Sequence, residues 1–537
     1  MSKKWTPKEL LLDLVSVQSD TYTTLEIDMA KHILEVIKGQ DYWEENSAYC
    51  GLYDGNDRMG RLIPWALRKG TSNRCLVLSG HFDCVEIDCY GTLKEFALTP
   101  DTLKEKMKTM EWSDPDVEKD LNSEDWLFGR GTADMKGGTA VMLCQLFEVA
   151  ANHINPELNL LYVGIHDEET AAEGIFQSVA LFTELKDKYD FDYKLLVNGE
   201  PTSKDSPDKY TYYDGSIGKG LPFIVIKSKL VHVGNLMQGL NGSLIAANIV
   251  RRIELNTDLC SEDYGQKCVP PTVLYMKDNK KYYNVSVPLY TNLYLNTLFT
   301  NSNNAIKILD SIDHICQESA AEAVETYNKA YAFMEPNHPN PNHNVRVMSL
   351  ADLQAHNGES VENYQEKKDA FVKEQIEIVN RGDSLTQLAT GFDIVEWEIE
   401  QSNITDPMIV YGLMAPYVPA VNNHAFQDFD REGTINIVRD ELKKYGITVE
   451  VVPYFMGLSD NSYISCVDPT EDLEALKSMV TPQEVYHIPL REAEYIALPS
   501  IICGPWGKDY HTITERVYLP DLEIHTPAVM RRLIESF

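Results

Sequence analysis

Nowhere in this chain of 537 residues does an apolar run extend far enough, free of charge, to cross a bilayer. The amino-terminal stretch MSKKWTPKELLLDLVSVQSD lacks the uninterrupted apolar segment of a signal peptide, because Lys8, Glu9 and Asp13 break it. The ten cysteines lack any framework spacing, and Cys84, Cys89, Cys144 and Cys503 lie in or beside apolar segments, as reduced core thiols do. These absences point to a cytoplasmic protein. Basic side chains are scarce beside acidic ones, 48 against 82, for a net charge of -34. Such a field repels phosphate backbones and anionic lipid surfaces, so neither nucleic acid nor membrane is an expected partner. For most of the acidic surplus, solubility is a sufficient reading. Internal repeats and low-complexity tracts are also missing, which sets repeat architectures aside.

What the sequence does contain is the balance of a folded globular protein, with 43% hydrophobic and 24% charged residues, in a chain long enough for at least two domains. Residues 7–17 and 25–38 carry apolar positions at helical spacing. Short apolar runs bounded by turn residues follow: CLVLSG, LNLLYVGIH and KLLVNGE, read as buried strands. Residues 139–151 and 173–185 read as helices between them. This alternation predicts an α/β domain with an open, mostly parallel sheet and helices on both faces. After Tyr213 the pattern becomes that of an α+β unit: strand-like FIVIKS, a helix over 243–255, strand-like VPLYTNLYLN and a long helix over 305–333. A loop rich in Pro, Asn and His (337–343) and a charged helix over 361–379 extend it. Strand-like MIVYGLM at 408–414 is expected to re-enter the first domain, making the second an insertion. The expected boundaries are 1–213 and 406–537 for the first domain and 214–405 for the inserted one. The closing segment alternates again, with helices over 434–445 and 526–536 and strands ITVEVVPYF and IALPSIICG.

The polar residues that interrupt this pattern sit at strand ends. His81-Phe82-Asp83 follows the first strong strand, and alternate residues of an extended chain share a side, so Asp83 can orient the His81 imidazole. Asp134 lies in GRGTADMKGG, where four glycines frame one acidic residue before a helix. The spacing is not that of a phosphate-binding loop, and an aspartate in its middle would repel phosphate. Glu168 and Glu169, in HDEETAAEG, follow directly from a strand. Adjacent carboxylates there can point apart, one to bind metal and the other to handle a proton. Glu200 closes a strand in VNGEPT, and His511 follows the last strand in GPWGKDYHT. Taken singly each is an ordinary polar turn residue. All five candidate ligands, His81, Asp134, Glu169, Glu200 and His511, fall where an open α/β sheet builds its binding crevice. Three carboxylates against two dications leave one positive charge, which a bridging hydroxide would cancel. Imidazole with carboxylate suits two zinc ions, with manganese or cobalt acceptable.

At this point the sequence resembles the di-zinc amidohydrolases that include aminoacylase, glutamate carboxypeptidase and succinyl-diaminopimelate desuccinylase. The five ligand blocks match in order, and DGSIGKG and HVGNLMQGLN are similar to the start of that family's lid domain. The stretches HFDCVEIDCYGTLKEFALTPDTL and WLFGRGTADMKGG look closest to its RocB-type, arginine-utilisation branch. The resemblance implies a zinc-exopeptidase-like catalytic domain with an inserted α+β lid domain, and a metal-dependent hydrolase that cleaves an amide bond in a short peptide or N-acyl amino acid. It implies that Asp134 bridges two metals, with His81 and Glu200 completing one site and Glu169 and His511 the other. Glu168 would be the general base, His232 in the lid would stabilise the oxyanion, and Gly457, Ser459 and Asp460 would line the substrate pocket. A cis peptide at Asp134-Met135 is also implied.

The chain departs from the family in two ways. Many members bind a substrate carboxylate through a lid arginine, yet no arginine occurs between Arg252 and Arg346. Either Arg346 takes that role or the substrate lacks a free carboxylate there. The inserted region is longer than a usual lid, so a monomer and a homodimer both remain open. The competing readings are a non-catalytic metal- or ligand-binding protein that retains the site, and a nucleotide-binding enzyme built on residues 129–138. Glu168 intact beside intact ligands speaks against the first, and the spacing against the second.

Overall fold

The computed structural model describes residues 3–382 and 384–537. Strand Arg74–His81 is buried along nearly its whole length, and a strand of that kind requires neighbours on both edges and cover on both faces. Asn159–Ile165 and Asp192–Asn198 pair with it in parallel, one on each edge. Ser500–Ile502 extends the parallel part beyond Asp192–Asn198, while Ile63–Arg68 and then Cys50–Tyr53 continue the other edge antiparallel. The sheet has six strands, and four adjacent ones, from Asn159–Ile165 to the edge strand Ser500–Ile502, are parallel.

Helix Lys136–Ala151 is apolar nearly all round, and the fold buries it accordingly. It shares one core with Leu76, Leu78, Leu160 and Tyr162 of the sheet and packs against helices Pro7–Val15 and Thr526–Ser536. Truncating a side chain such as Leu143 there should cost about 2–5 kcal/mol. Helix Glu173–Tyr189 packs against strand Asn159–Ile165 and helix Leu490–Ile496. The first helix begins where its sequence dictates. Thr6 and Glu9 form a reciprocal capping box, with backbone-to-side-chain bonds of 3.2 and 3.1 Å, and Pro7 occupies the first turn, where no N–H is needed.

The chain divides into two compact units. One comprises the chain up to Ser216 with Val421–Val467 and Pro489–Phe537, and the other Ile217–Ala420 with Asp468–Ile488. The second unit is built on a five-stranded sheet in the order Thr272–Asp278, Tyr290–Phe299, Gly218–Lys227, Met408–Val418, Arg346–Ser349. Its helices include Gly242–Ile253, Asn303–Met334, Tyr364–Val379 and Ser384–Gln401.

This arrangement corrects one expectation. Met408–Val418 does not re-enter the first sheet; it pairs antiparallel with Gly218–Lys227 and parallel with Arg346–Ser349. Its apolar run is that of a central strand, and such a run fits the middle of either sheet equally well. Residues 468–488 return to the second unit for the same reason that the strand does: Val480 belongs to the core formed by Val410, Met414 and Phe392. Among the described residues, no helix is long and apolar enough to cross a membrane.

Candidate metal centre

Register places the site. His81 lies opposite Ile165, and Ser79 lies opposite Asn198, so the segments carrying Glu168, Glu169 and Glu200 emerge beside His81 at the carboxyl ends of three adjacent strands. The His81 ring is buried. Its Nδ1 lies 3.0 Å from the Asp83 carbonyl oxygen and 3.5 Å from Asp83 Oδ1, which leaves Nε2 to face outward. That atom is 3.2 Å from Asp134 Oδ1, 3.5 Å from Glu200 Oε1 and 3.9 Å from Glu168 Oε2. On the other side of Asp134, His511 Nε2 is 3.3 Å from Oδ2 and 2.9 Å from Glu169 Oε1. The two oxygens of one aspartate thus face two different imidazoles. His511 holds a left-handed backbone, φ 63°, which is uncommon for a residue other than glycine and concentrates at functional sites.

The five residues singled out as ligands therefore converge, with Glu168 among them. Ligand atoms of His81, Glu168 and Glu200 lie within 4.8 Å of one another, as do those of His81, Asp134 and Glu169. The Asp83 carboxylate accepts the backbone N–H groups of both Glu168 and Glu169, at 3.2 Å each, besides facing His81. It fixes the paired glutamates as well as the imidazole. The Asp134–Met135 peptide is cis, as the resemblance implies.

Glycines explain how backbones approach so closely. A Cβ on Gly138 would lie 1.9 Å from the Gly199 carbonyl oxygen, so only glycine lets the helix after Asp134 lie against the turn that carries Glu200. Gly131, at φ 72°, turns the loop ahead of Asp134.

Buried carboxylates crowd the centre. Burial, followed by the charges of Glu200, Glu169 and Asp460, holds the Glu168 carboxyl well above the usual range against the pull of His81. Burial raises Glu200 to about 7, and burial with neighbouring Asp134 raises Glu169. Asp134 goes the other way: burial is outweighed by hydrogen bonds from His511 and His81, which lower it. His511 is raised to about 10 by Asp134 and Glu169, and His81 is raised despite its burial by Glu200, Asp134 and Asp83. So many acids packed around two imidazoles call for more positive charge than the side chains supply.

Two supports escaped the sequence reading. Glu515, fully buried, accepts the backbone N–H groups of Ala133 and Asp134, at 3.3 Å each, and pairs with buried Arg130. Behind Glu168 and Glu169, Arg61 is enclosed by Glu26, Asp57, Asp167 and Glu173. Each of these residues reads as a solvated charge in sequence, and only their convergence distinguishes them.

Asp460 is buried near this centre. Burial, Glu200 and Asp83 raise its carboxyl to about 8 against His81, and its Oδ2 has no hydrogen-bond partner among the described residues. Ser459 is buried, its Oγ accepting the N–H of Asn461 at 3.3 Å, and Gly457 lies in the same loop, half-buried. His232 and Arg346 belong to the second unit. His232 is exposed, with Nδ1 accepting the Gly234 N–H at 3.1 Å, so Nε2 carries the ring proton. Arg346 begins a strand with a half-exposed side chain, 3.8 Å from Asp406.

A crevice of histidines and carboxylates at the carboxyl ends of a mostly parallel sheet is the arrangement of a metal-dependent hydrolase. The chain belongs to peptidase family M20/M25/M40, whose sequence model matches residues 100–535. It is similar to the uncharacterized protein YqjN of Bacillus subtilis, 30% identical over 95% of this chain and 92% of that protein. It is also similar to protein RocB of the same organism, 28% identical over 95% of this chain and 91% of that protein. In fold it resembles a tripeptidase of Staphylococcus aureus, with a TM-score of 0.55 and 13% identity over 100% of this chain and 99% of that one.

Proposed function

We propose that this chain hydrolyses an amide bond in a short peptide or N-acyl amino acid, with two metal ions, zinc by preference, held by His81, Asp134, Glu169, Glu200 and His511. The observation that carries this reading is the sharing of Asp134, whose two oxygens lie 3.2 and 3.3 Å from two different imidazoles. The donor set fits the ions. It offers imidazole nitrogen and carboxylate oxygen, the combination zinc favours, and its crowded carboxylates are relieved by added positive charge. His81 and Glu200 would hold one ion, Glu169 and His511 the other, and Asp134 both.

When bound, the ions would lower the pKa of a shared water to about 7 and polarise the scissile carbonyl. The proton traffic belongs to Glu168. Its Oε2 lies 3.9 Å from His81 Nε2, farther than the Asp134 and Glu200 oxygens, and so beside the proposed ligands. There it takes the proton of the attacking water and returns it to the nitrogen of the departing amine. Asp83 keeps His81 Nδ1 occupied and the Glu168 backbone fixed, so that neither group drifts between steps. By the resemblance, His232 would stabilise the developing oxyanion, a role that suits a ring whose Nε2 carries the proton.

The test is Glu168→Gln with metal content and turnover measured on the same preparation. The variant should retain both metals and lose activity by about 10²–10⁴-fold on the best substrate of a peptide and acyl-amino-acid panel. Wild-type turnover in that variant would remove Glu168 as the base. Two bound metals in the wild type with no hydrolysis of any panel member would favour a binding protein instead.

A further inference from the structure

Arg61 has no exposed side-chain surface, yet among the described residues it is the one cation at the centre of a cluster of four carboxylates. Its guanidinium lies 2.8 Å from Asp57, 3.1 Å from Glu26, 3.1 Å from Asp167 and 2.6 Å from Glu173. A second arginine, Arg58, pairs with Glu173 at 3.4 Å from the partly exposed rim and lies over the Tyr22 ring. A fully buried guanidinium is retained only where its partners are well placed, and here they come from three separate stretches of chain. All meet behind the turn that presents Glu168 and Glu169.

That turn is held from two sides. In front, Asp83 accepts the N–H groups of Glu168 and Glu169. Behind, Glu26 Oε1 accepts the Asp167 N–H at 2.7 Å, and Asp167 Oδ2 accepts the Glu173 N–H at 3.3 Å. The Asp167 carbonyl accepts the Ala172 N–H at 2.8 Å, and Asp167 itself adopts a left-handed φ of 61°. The Asp167 carboxylate, on the residue directly before Glu168, therefore ties the buried guanidinium to the start of helix Glu173–Tyr189. Without the guanidinium, four carboxylates would face one another in a buried space, and the turn could keep its shape only by opening to water.

We infer that Arg61 is a positioning residue, which grips Asp167 and so sets the directions in which Glu168 and Glu169 diverge. This rests on the proposed roles of Glu168 as base and Glu169 as ligand. A role confined to stability would leave the metal environment unchanged, and that difference can be read.

The experiment uses the full-length protein loaded with cobalt(II), whose visible absorption reports the ligands around the ion. Arg61→Met should bind cobalt about 10–100-fold more weakly, with an altered absorption band. Its kcat should fall by a similar factor with KM changed less than about threefold. Arg61→Lys, which keeps the charge but not the fork, should fall between the two. An Arg61→Met protein that matches wild type in circular dichroism, cobalt spectrum, cobalt affinity and kcat overturns the inference. If Arg61→Met does not fold, Asp167→Asn carries the test, since it preserves shape and one acceptor while removing the charge that Arg61 grips. Weakened cobalt binding in that variant supports the inference, and wild-type affinity overturns it. Because cobalt affinity is read without turnover, a wild type that binds two ions but cleaves nothing would sink the proposed function while still deciding the role of Arg61.

Discussion

Replacing Gly138 by alanine adds one methyl group to a helix and should cripple the site while sparing the fold. The new Cβ would start 1.9 Å from the Gly199 carbonyl oxygen and 2.6 Å from its carbon, where contacts below 3.0 Å essentially never occur. The two backbones must therefore separate by about 1 Å. One of them leads directly to Glu200 and the other comes from Asp134, so the displacement falls on the distances that define one half of the metal centre. Overpacking of this kind costs about 1–3 kcal/mol. Alanine in place of glycine inside a helix returns about 1 kcal/mol, so the net loss of stability is modest. A shift of about 1 Å between reacting groups, in contrast, costs about 10²-fold in rate. Zinc titration and steady-state kinetics on the folded variant should show weakened binding and kcat/KM reduced by about two orders of magnitude. A variant with unchanged zinc affinity and kcat/KM within about threefold of wild type would refute the claim that this contact sets the spacing.

Other perturbations follow from the same geometry. Asp83→Asn leaves one acceptor oxygen for the two N–H groups of Glu168 and Glu169, so metal affinity should drop about 10–100-fold; isothermal titration that finds no change would contradict this. His511→Ala should lower the metal content from two ions to one per chain, measured by elemental analysis, because the His511 ring faces Glu169 and Asp134 and not the His81–Glu200 pair. Asp472, in the second unit, has its carboxyl raised by burial to about 6 against the hydroxyls of Ser302 and Tyr417. The folded protein thus holds a proton there that the unfolded chain gives up. The associated stabilisation is complete below the ordinary aspartate value and lost as pH rises through about 6, a difference on the order of 3 kcal/mol. Asp472→Asn should be more stable than wild type at pH 8 by denaturant unfolding, with the gap closing at pH 4. A gap independent of pH would show that Asp472 titrates normally.

The central sheet was readable because CLVLSG, LNLLYVGIH and KLLVNGE each carry an unbroken apolar run, a pattern that strands covered on both faces require. The candidate ligands were readable for a related reason: each interrupts the pattern just where a strand ends, and that is where such a sheet opens a crevice. Pairing came from the family resemblance and not from residue spacing. That His511 lies against Glu169 and not Glu200 depends on how the turn after Trp506 folds back, and local spacing carries no record of it. Arg61, Glu515 and Arg130 were invisible for an electrostatic reason, since a charged residue in sequence is normally solvated and its burial depends on partners up to 385 positions away. The strand at 408–418 was misassigned because apolar continuity states that a strand is central without stating to which sheet.

The half-exposed His511 lies 342 positions along the chain from the glutamate it faces. Of the four residues that share the centre with it, His81, Asp134, Glu169 and Glu200, three are acids, so without His511 they form an acidic half-cage. Any fragment that terminates early would lack the side chain that closes the cage. A chain cut before His511 should therefore show a deficit of bound metal.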